Sequence, residues 1–250
     1  LGRALQGRRH RTIIATKFGF RFEGRKLLGT DSRPEHIRAV ADKSLQRLGT
    51  DYIDIYYSHK DDNEVPIAET LGAYAQLIKA GKVRYIAASQ HTGARLQEAL
   101  DISAQENLPS YIGLQNRYNL MDREPFESEQ EAVVLGSHLS LMPFYSLARG
   151  FLTGKYRNGV AVESVRAGAV AEYQNDRGER VLMALDQIAA AHKSTPSAVS
   201  LAWLRAKPAV STPIASARTV SQLQEIVELV QLTADEVQLL DAASGIALES

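Results

Sequence analysis

Six short apolar segments, separated by amphipathic stretches, constrain the fold of this chain more than any other feature. Each has five or six residues and is mostly apolar, without the strict alternation of a half-exposed strand. A strand that is apolar on both faces needs cover on both, and parallel sheets in α/β proteins provide that cover. We therefore predict buried parallel strands at residues 12–16, 53–58, 85–89, 111–115, 139–144 and 212–216.

The stretches between these segments carry apolar residues at helical spacing. One such stripe consists of Ile37, Val40, Ala41, Leu45 and Leu48. A helix with one apolar stripe buries that stripe against a sheet. Strands and helices alternate with short links, so right-handed crossovers should join the strands into one parallel sheet.

This alternation predicts an α/β chain with the architecture of a (β/α)₈ TIM barrel. A closed barrel of this type has eight strands, and six are visible. We therefore expect the first two strands to precede Leu1, outside the given sequence. An open, doubly wound sheet of six strands is the alternative. No GxGxxG motif follows any strand, which counts against a Rossmann-type dinucleotide site.

Length and composition narrow the organisation and the partners. A chain of 250 residues fits one barrel, so we predict a single, N-terminally incomplete domain over residues 1–250, with a lid or disordered loop at 157–177. Lys plus Arg and Asp plus Glu both number 29, which favours neither nucleic acid nor an anionic membrane as a partner. No apolar run is long enough to span a bilayer, and a cytoplasmic location is the default expectation.

A polar residue stands at the end of nearly all of the predicted strands, either as the last residue or directly after it. The terminal residues are Lys17, His59, Ser89, Gln115, Phe144 and Ser216. The carboxyl ends of barrel strands converge on one mouth, where barrel enzymes carry their active sites. Lys17 follows an apolar run that strengthens the effect of its charge, and His59 can donate a hydrogen bond or titrate near neutral pH.

Other kinds of catalytic site lack support in the sequence. No His or carboxylate pair has the spacing of a metal site, so we predict no metal. The absence of cysteine excludes thiolate catalysis, and no GxSxG elbow marks a serine nucleophile.

Longer motifs around these residues resemble the aldo-keto reductases. Ile13-Ile14-Ala15-Thr16-Lys17-Phe18-Gly19 is similar to the strand that carries the active-site lysine of that family, and residues 48–56 lead to His59 as the family's histidine strand does. Residues 81–89, 115–119, 147–156 and 213–225 follow in the family's order. The resemblance covers essentially the whole chain.

The resemblance implies a catalytic tetrad of Asp, Tyr, Lys and His, of which Lys17 and His59 are two. In the family, the tyrosine gives its proton to a carbonyl oxygen as hydride arrives from nicotinamide. The lysine stabilises tyrosinate by charge, and the histidine orients the carbonyl. The family's Asp and Tyr fall in the segment expected before Leu1, and we assign no substitute for either.

The resemblance also implies that NADPH is the cofactor. It places Ser89 and Gln115 at the nicotinamide carboxamide, with Gln90 beside the serine, and Phe144 against the nicotinamide ring. Tyr145 is a further expected cofactor-binding residue. The expected pyrophosphate residues are Leu147, Arg149, Gly150 and Lys155, and those of the adenosine 2′-phosphate end are Ser216, Arg218, Gln222 and Glu225. The chain departs from the family at Gln90 and Ile226, where Asn is usual, and at Tyr145-Ser146, where Ser-Pro is usual.

We therefore predict an oxidoreductase that transfers hydride between NADPH and a small aldehyde, ketone, sugar-like carbonyl or the matching alcohol. The first alternative is a cofactor-binding regulatory subunit, like the channel β-subunits that share the fold. A second alternative makes Lys17 the Schiff-base nucleophile of a barrel aldolase. The sequence leaves the substrate and the oligomeric state open.

Overall fold

A computed structural model describes residues 1–157 and 168–245 of the chain. The chain divides into two compact units. The first comprises Leu1–Gln115 and Glu129–Ser140, and the second comprises Asn116–Ser128 and Leu141–Ser250.

The helices and strands alternate along the chain, as the sequence predicts. The strands are β1 Ala15–Phe18, β2 Phe20–Glu23, β3 Lys26–Thr30, β4 Ile53–Ser58, β5 Val83–Ser89, β6 Tyr111–Gln115 and β7 Ser140–Leu141. The α-helices are α1 Gly2–Leu5, α2 Pro34–Leu48, α3 Ile67–Lys79, α4 Gly93–Gln105, α5 Glu131–Gly136, α6 Asp176–Ala191, α7 Pro196–Arg205, α8 Val220–Val227 and α9 Ala234–Ser244. Short 3₁₀ helices form at Arg9–Arg11, Ala148–Thr153 and Gly168–Tyr173, and a π-helical turn forms at Phe126–Gln130.

A parallel sheet forms the centre of the first unit. Its strand order is β1, β4, β5, β6, and the order continues to the two-residue β7, where this unit ends. The β1–β4 register sets Lys17 beside Tyr57, and the β5–β6 register sets Ser89 beside Gln115. All residues of β4 except the partly exposed Ile55 are buried, as expected for a strand between two parallel neighbours. These features confirm the α/β class.

Helices α2 and α3 cover the sheet of this unit and follow the predicted apolar stripe. Ile37, Ala41 and Leu45 of α2 are buried. Gly49 ends α2 in the left-handed conformation (φ 64°), which glycine adopts without a Cβ penalty. The helix stripe inferred from sequence spacing is therefore the face that packs.

The antiparallel hairpin of β2 and β3 was not predicted. It follows β1 directly and returns the chain to α2. Phe22 and Leu27 are more than half exposed, so burial does not drive this pairing. β2 has only four residues, which alternate between apolar and charged, and β3 begins with Lys26 and ends with Gly29-Thr30, so neither is one of the continuous apolar segments from which strands were predicted.

The second unit packs α6, α7 and α9 around a buried indole. Trp203 of α7 is fully buried, and its ring nitrogen donates to Asp241 Oδ1 over 2.9 Å. Lys207 donates to both oxygens of the same carboxylate, at 2.7 and 2.9 Å. The ring of Tyr118 lies 5.3 Å from the Trp203 ring. These contacts fix α9 to α7.

Two strand predictions match the observed bounds, at 53–58 and 111–115, and the strand predicted at 212–216 is wrong. That segment is extended but irregular. Val210 forms an isolated parallel bridge with Leu141, and the amide of Ile214 donates to Pro143 O over 2.9 Å. Pro143 and Pro213 lack the N–H groups that a continuous ladder needs, which limits both segments.

The segment predicted as a lid or loop at 157–177 falls partly outside the described residues, at 158–167. Its described end is helical. Gly168–Tyr173 is a 3₁₀ helix, and α6 begins at Asp176, capped by the Asn175 side chain. The lid role stays a prediction. Among the described residues, no helix combines the length and hydropathy that crossing a bilayer requires.

Candidate active site

Lys17 lies on β1, with its ammonium at the carboxyl end of the first unit's sheet. Its side chain is partly buried, and burial lowers the pKa of the ammonium group. The Nζ donates to Oε1 of Gln115, at the end of β6. It also lies 5.8 Å from the centre of the Tyr57 ring on the neighbouring strand. The sequence placed Lys17 and Gln115 at strand ends, and the structure brings them into direct contact.

His59 follows β4 directly and belongs to the same group of side chains. Its backbone N–H donates to Phe18 O over 2.9 Å, and its ring meets the Phe20 ring edge-on, with centres 4.6 Å apart. Burial lowers the pKa of His59, and the positive charge of Lys17 lowers it further. The imidazole is therefore neutral at neutral pH and can donate one hydrogen bond without carrying charge.

The close approach of the backbone to His59 depends on Gly19. This residue has φ 125°, a conformation that side-chain-bearing residues rarely adopt. A Cβ at this position would lie 3.4 Å from both the Cβ and the backbone nitrogen of His59. The glycine after Phe18 therefore permits the turn into the β2–β3 hairpin beside the histidine.

Ser89 and Gln115 end neighbouring strands and present polar atoms to the same region. Ser89 is fully buried, and its hydroxyl has no hydrogen-bond partner among the residues that the structure describes. An orphaned buried hydroxyl is costly to a protein unless something bound satisfies it. A carboxamide offers both a donor and an acceptor, so this pair of side chains fits the amide of nicotinamide.

Gln90 connects the ends of three strands. It has φ 53°, its backbone N–H donates to Gln115 O over 3.3 Å, and its side-chain amide donates to His59 O over 3.0 Å. The longer side chain, where Asn is usual in the family, therefore reaches the histidine's backbone.

Tyr57, which the sequence did not single out as a catalytic or cofactor-binding residue, lies in the centre of this group. Its ring is fully buried, and burial raises the pKa of its hydroxyl to about 12. Its hydroxyl shares a hydrogen bond with the Gln115 side chain. The signal available in the sequence was the strand pairing, because two parallel strands in register set Tyr57 beside Lys17.

His91 was also missed as a supporting residue, because a histidine just after a strand reads as an ordinary loop residue. It is buried, and its Nδ1 lies 2.9 Å from the carbonyl oxygen of Ser89. Its Nε2 faces Asp61 at 3.7 Å, and Arg95 holds that carboxylate through two hydrogen bonds of 2.8 and 3.1 Å. Burial lowers the pKa of His91. The histidine thus supports the backbone at Ser89.

The remaining predicted residues lie in the second unit. Phe144 bridges to Arg117 as an isolated parallel pair, and its ring packs edge-on against Tyr145, 5.2 Å away. Tyr145 is left-handed (φ 54°) and lies under the guanidinium of Arg149, which is 5.3 Å from its ring. Arg149 also pairs with Glu172 at 2.9 Å. This cluster presents aromatic and basic groups together.

The backbone of the segment from Leu147 to Lys155, which holds the expected pyrophosphate residues, forms internal hydrogen bonds. Gly150 has φ 102°, and its backbone N–H donates to Leu147 O over 2.8 Å within the segment. That amide is therefore occupied, and the exposed Lys155 remains the clearer candidate for binding an anion.

Ser216 and Arg218, which the resemblance places at the adenosine 2′-phosphate end, lie before the nearest helix and not within it. Helix α8 begins at Val220, with Thr219 as its N-cap. Arg218 lies just before the cap, and its backbone N–H donates to Gln222 Oε1 over 2.9 Å. The Ser-Ala-Arg stretch lacks the capping hydroxyl geometry that Thr219 provides. Glu225 lies within α8.

Among the described residues, no group of three or more His, Asp or Glu side chains could hold a metal ion. The polar groups that the first unit assembles are instead an ammonium, a neutral imidazole, a buried hydroxyl and an amide. Together they can bind a planar amide and stabilise negative charge on an oxygen atom.

Reductases are among the proteins that this chain resembles, which is consistent with a site made of these groups. The family model described as "Aldo/keto reductase family" matches residues 1–244. The chain is 29% identical to the L-glyceraldehyde 3-phosphate reductase of Escherichia coli (strain K12) over 88% of its own length and 65% of that protein's. It is 30% identical to an aldo-keto reductase of Schizosaccharomyces pombe, yakc, whose name includes NADP(+), with coverage of 88% and 65%.

A third relative has a different kind of name. It is a Schizosaccharomyces pombe protein named "Putative voltage-gated potassium channel subunit beta", 30% identical over 88% of this chain and 66% of that protein. The chain thus spans just under two thirds of the length of each of these three relatives.

Proposed function

The chain belongs to the aldo/keto reductase family, a family of oxidoreductases with the (β/α)₈ barrel fold, and we propose that it binds NADPH and reduces a small carbonyl compound or oxidises the matching alcohol. The substrate class extends to aldehydes, ketones and sugar-like carbonyls. We further propose a cytoplasmic location. The contact of the Lys17 ammonium with Gln115, beside His59 and the orphaned Ser89 hydroxyl, carries this proposal.

NADPH would supply the hydride when bound. The side chains of Ser89 and Gln115 would hold its carboxamide, and the buried Ser89 hydroxyl would gain the partner it lacks among the described residues. Gln90 would keep the ends of these strands in register through its two hydrogen bonds.

As in the family, where a tyrosine gives its proton to the carbonyl oxygen as hydride arrives, Lys17 would stabilise the resulting tyrosinate and His59 would hydrogen-bond the substrate's carbonyl oxygen. The ammonium of Lys17 stabilises negative charge nearby, and its partly buried position strengthens that effect. His59 remains neutral at neutral pH, so it can donate a hydrogen bond to the oxygen and orient it. Both groups favour the charge distribution of a carbonyl that is accepting hydride.

We assign the second unit's predicted residues by the family resemblance. Phe144 and Tyr145 offer aromatic faces for a nicotinamide, and Arg149 and Lys155 offer positive charge for phosphate groups. For the 2′-phosphate end, we retain Arg218 as the charged candidate, together with Ser216, Gln222 and Glu225.

The test follows the loss of NADPH absorbance with a panel of aldehydes, ketones and sugars. We expect turnover with at least one class, and losses of a hundredfold or more in kcat for Lys17→Met and for His59→Ala. Lys79→Met is the matched control, since Lys79 lies exposed at the end of α3. Equal rates in all variants would remove the assignment of chemistry to this site.

A regulatory subunit is the second candidate, and the channel β-subunit relative is the observation that favours it. In that case NADPH binds, and no member of the panel is turned over. Titration of NADPH fluorescence on the parent protein, together with the turnover assay, separates the two candidates. An aldolase role for Lys17 requires substrate to be trapped on Lys17 by borohydride.

A further inference from the structure

The ring of Tyr145 lies against two arginine side chains that come from separate segments of the second unit. The guanidinium carbon of Arg117 is 5.6 Å from the centre of the ring, and that of Arg149 is 5.3 Å from it. Both distances are within the range of a cation–π contact, in which the face of the ring attracts positive charge. The second unit therefore holds two guanidinium groups beside one aromatic ring.

Backbone contacts fix Arg117 next to this ring. Arg117 forms an isolated parallel bridge with Phe144, the residue before Tyr145, and the Phe144 N–H donates to Asn116 O over 3.0 Å. The side-chain amide of Asn119 donates to Tyr145 O over 2.9 Å. The segment that carries Arg117 thus contacts both Phe144 and Tyr145, so more than a flexible side chain determines where the guanidinium lies.

A carboxylate faces each of the two guanidiniums. Nη1 of Arg117 is 3.8 Å from Asp122 Oδ1, which is an ion pair too long to be a hydrogen bond, and the Tyr173 hydroxyl donates to the other oxygen of Asp122 over 2.8 Å. This ion pair orients the Arg117 guanidinium without occupying its hydrogen-bond donors. Arg149 pairs with Glu172, which is more than half exposed. Exposed ion pairs contribute little, so a more highly charged phosphate group can replace that carboxylate.

We propose that Arg117 and Arg149 together form a site for a diphosphate group, with Tyr145 as the ring that holds both guanidiniums. This inference rests on the proposed function, which identifies the diphosphate as the pyrophosphate of NADPH and already assigns Arg149 to it. Arg117 is the residue that the family resemblance did not indicate. Because both guanidiniums lie close to one ring centre, a single diphosphate can reach both through charge-assisted hydrogen bonds.

The test measures the binding of inorganic pyrophosphate, NADPH and NADH by titration calorimetry and requires no turnover. Arg117→Met should raise the Kd of all three ligands by about tenfold, because each loses the same charge-assisted contact. NADPH and NADH share the pyrophosphate and differ in the 2′-phosphate. An equal loss of affinity for both therefore assigns Arg117 to the pyrophosphate.

Arg180→Met is the matched control. Arg180 is exposed on α6 in the same unit, so its replacement removes the same charge away from the Tyr145 ring. The three Kd values should stay at the parental level. Arg117→Lys keeps the charge and loses the planar fork, so it should recover part of the affinity. If Arg117→Met does not fold, Arg117→Lys carries the test, with a smaller loss that is again equal for the three ligands.

Three results would overturn the proposal: parental Kd values in Arg117→Met, an equal loss in Arg180→Met, or a loss for NADPH alone, which would place Arg117 at the 2′-phosphate. Failure of the proposed function looks different. If pyrophosphate binding depends on Arg117 and neither dinucleotide binds, the diphosphate site stands and the assigned cofactor is wrong. If both dinucleotides respond as expected and no carbonyl is reduced, the site stands and the proposed reductase activity fails.

Discussion

The side-chain amide of Gln90 donates a hydrogen bond to the backbone carbonyl oxygen of His59 over 3.0 Å. Because the backbone N–H of Gln90 also donates to Gln115 O, one residue fixes the ends of β4, β5 and β6 relative to one another. The site of the first unit is therefore held by backbone contacts as well as by side-chain contacts.

Gln90→Ala should reduce kcat/KM for carbonyl reduction by about three- to tenfold. The loss corresponds to one hydrogen bond of about 1 kcal/mol that positions the histidine backbone. Gln97→Ala is the control, because Gln97 makes an exposed contact with Asp101 on the surface of α4. Steady-state kinetics should separate the two variants, and equal kcat/KM values would contradict the positioning role of Gln90.

Gly19→Ala should lower both stability and activity, because a residue with a Cβ is strained at φ 125° and a backbone shift that relieves the strain would move the contact with His59. Gly29→Ala provides the comparison, since Gly29 has a similar φ of 133° and no atom lies within 4 Å of the position that its Cβ would take. Both variants should lose about 1–3 kcal/mol of unfolding free energy in urea titrations. We expect a further loss of kcat in Gly19→Ala alone. Similar kinetics in the two variants would show that Gly19 matters only for backbone strain.

His91 should make the stability of the protein depend on pH. Burial lowers its pKa, so between its folded value and the unfolded value of about 6.5 the unfolded state binds more protons. Stability should therefore be full above about pH 6.5 and fall as the pH decreases below it. Urea unfolding near neutrality and in mild acid should show a smaller decrease in His91→Phe than in the parent. The remaining slope should include His59, whose pKa is also lowered.

The His91→Phe side chain keeps only part of the contacts of the imidazole. The phenyl ring can still pack on Tyr111, whose ring is 5.9 Å from the imidazole, but it cannot hydrogen-bond Ser89 O. Absolute stability can therefore change for reasons other than titration. The decisive quantity is the difference in unfolding free energy between the two pH values. An equal difference in parent and variant would exclude His91 as the titrating group.

The sequence predicted the strands at the centre of the parallel sheet and missed the exposed hairpin. β4 and β6 are short, largely buried segments rich in apolar residues, so their composition indicated their bounds. The β2–β3 hairpin is exposed and interspersed with charge, and the segment at 212–216 is extended next to Pro143 without forming a ladder. The apolar pattern of a sequence indicates which segments are buried. The hairpin and the segment at 212–216 are instead held by backbone contacts that do not depend on burial, so the pattern does not indicate their structure.

Within the site, the order of the strands predicted which residues would lie close together. It did not predict which hydrogen bonds they would form. Lys17, His59, Ser89 and Gln115 each end or follow a parallel strand, so their grouping follows from topology. The contacts of Tyr57 with Gln115 and of His91 with Ser89 depend on side-chain direction and register. Those properties are set by tertiary packing, which a single sequence does not display.

Ser89→Ala should weaken NADPH binding without destabilising the free protein. Its hydroxyl is fully buried and has no partner among the described residues, so its removal costs the free protein no hydrogen bond and relieves a desolvated polar group. The thermal midpoint without cofactor should be unchanged or higher, while the Kd for NADPH from fluorescence titration should rise about five- to twentyfold.

Ser103→Ala serves as the opposite case, because Ser103 is also buried but its hydroxyl donates to Leu108 O over 2.7 Å. Its loss leaves that carbonyl oxygen without the bond, so the free protein should lose about 1 kcal/mol while the Kd for NADPH stays unchanged. The two serines therefore separate a hydroxyl that maintains the fold from one that is available to a ligand. A Ser89→Ala variant that loses stability and keeps its NADPH affinity would show that Ser89 belongs to the first kind, and the carboxamide assignment would then have to be abandoned.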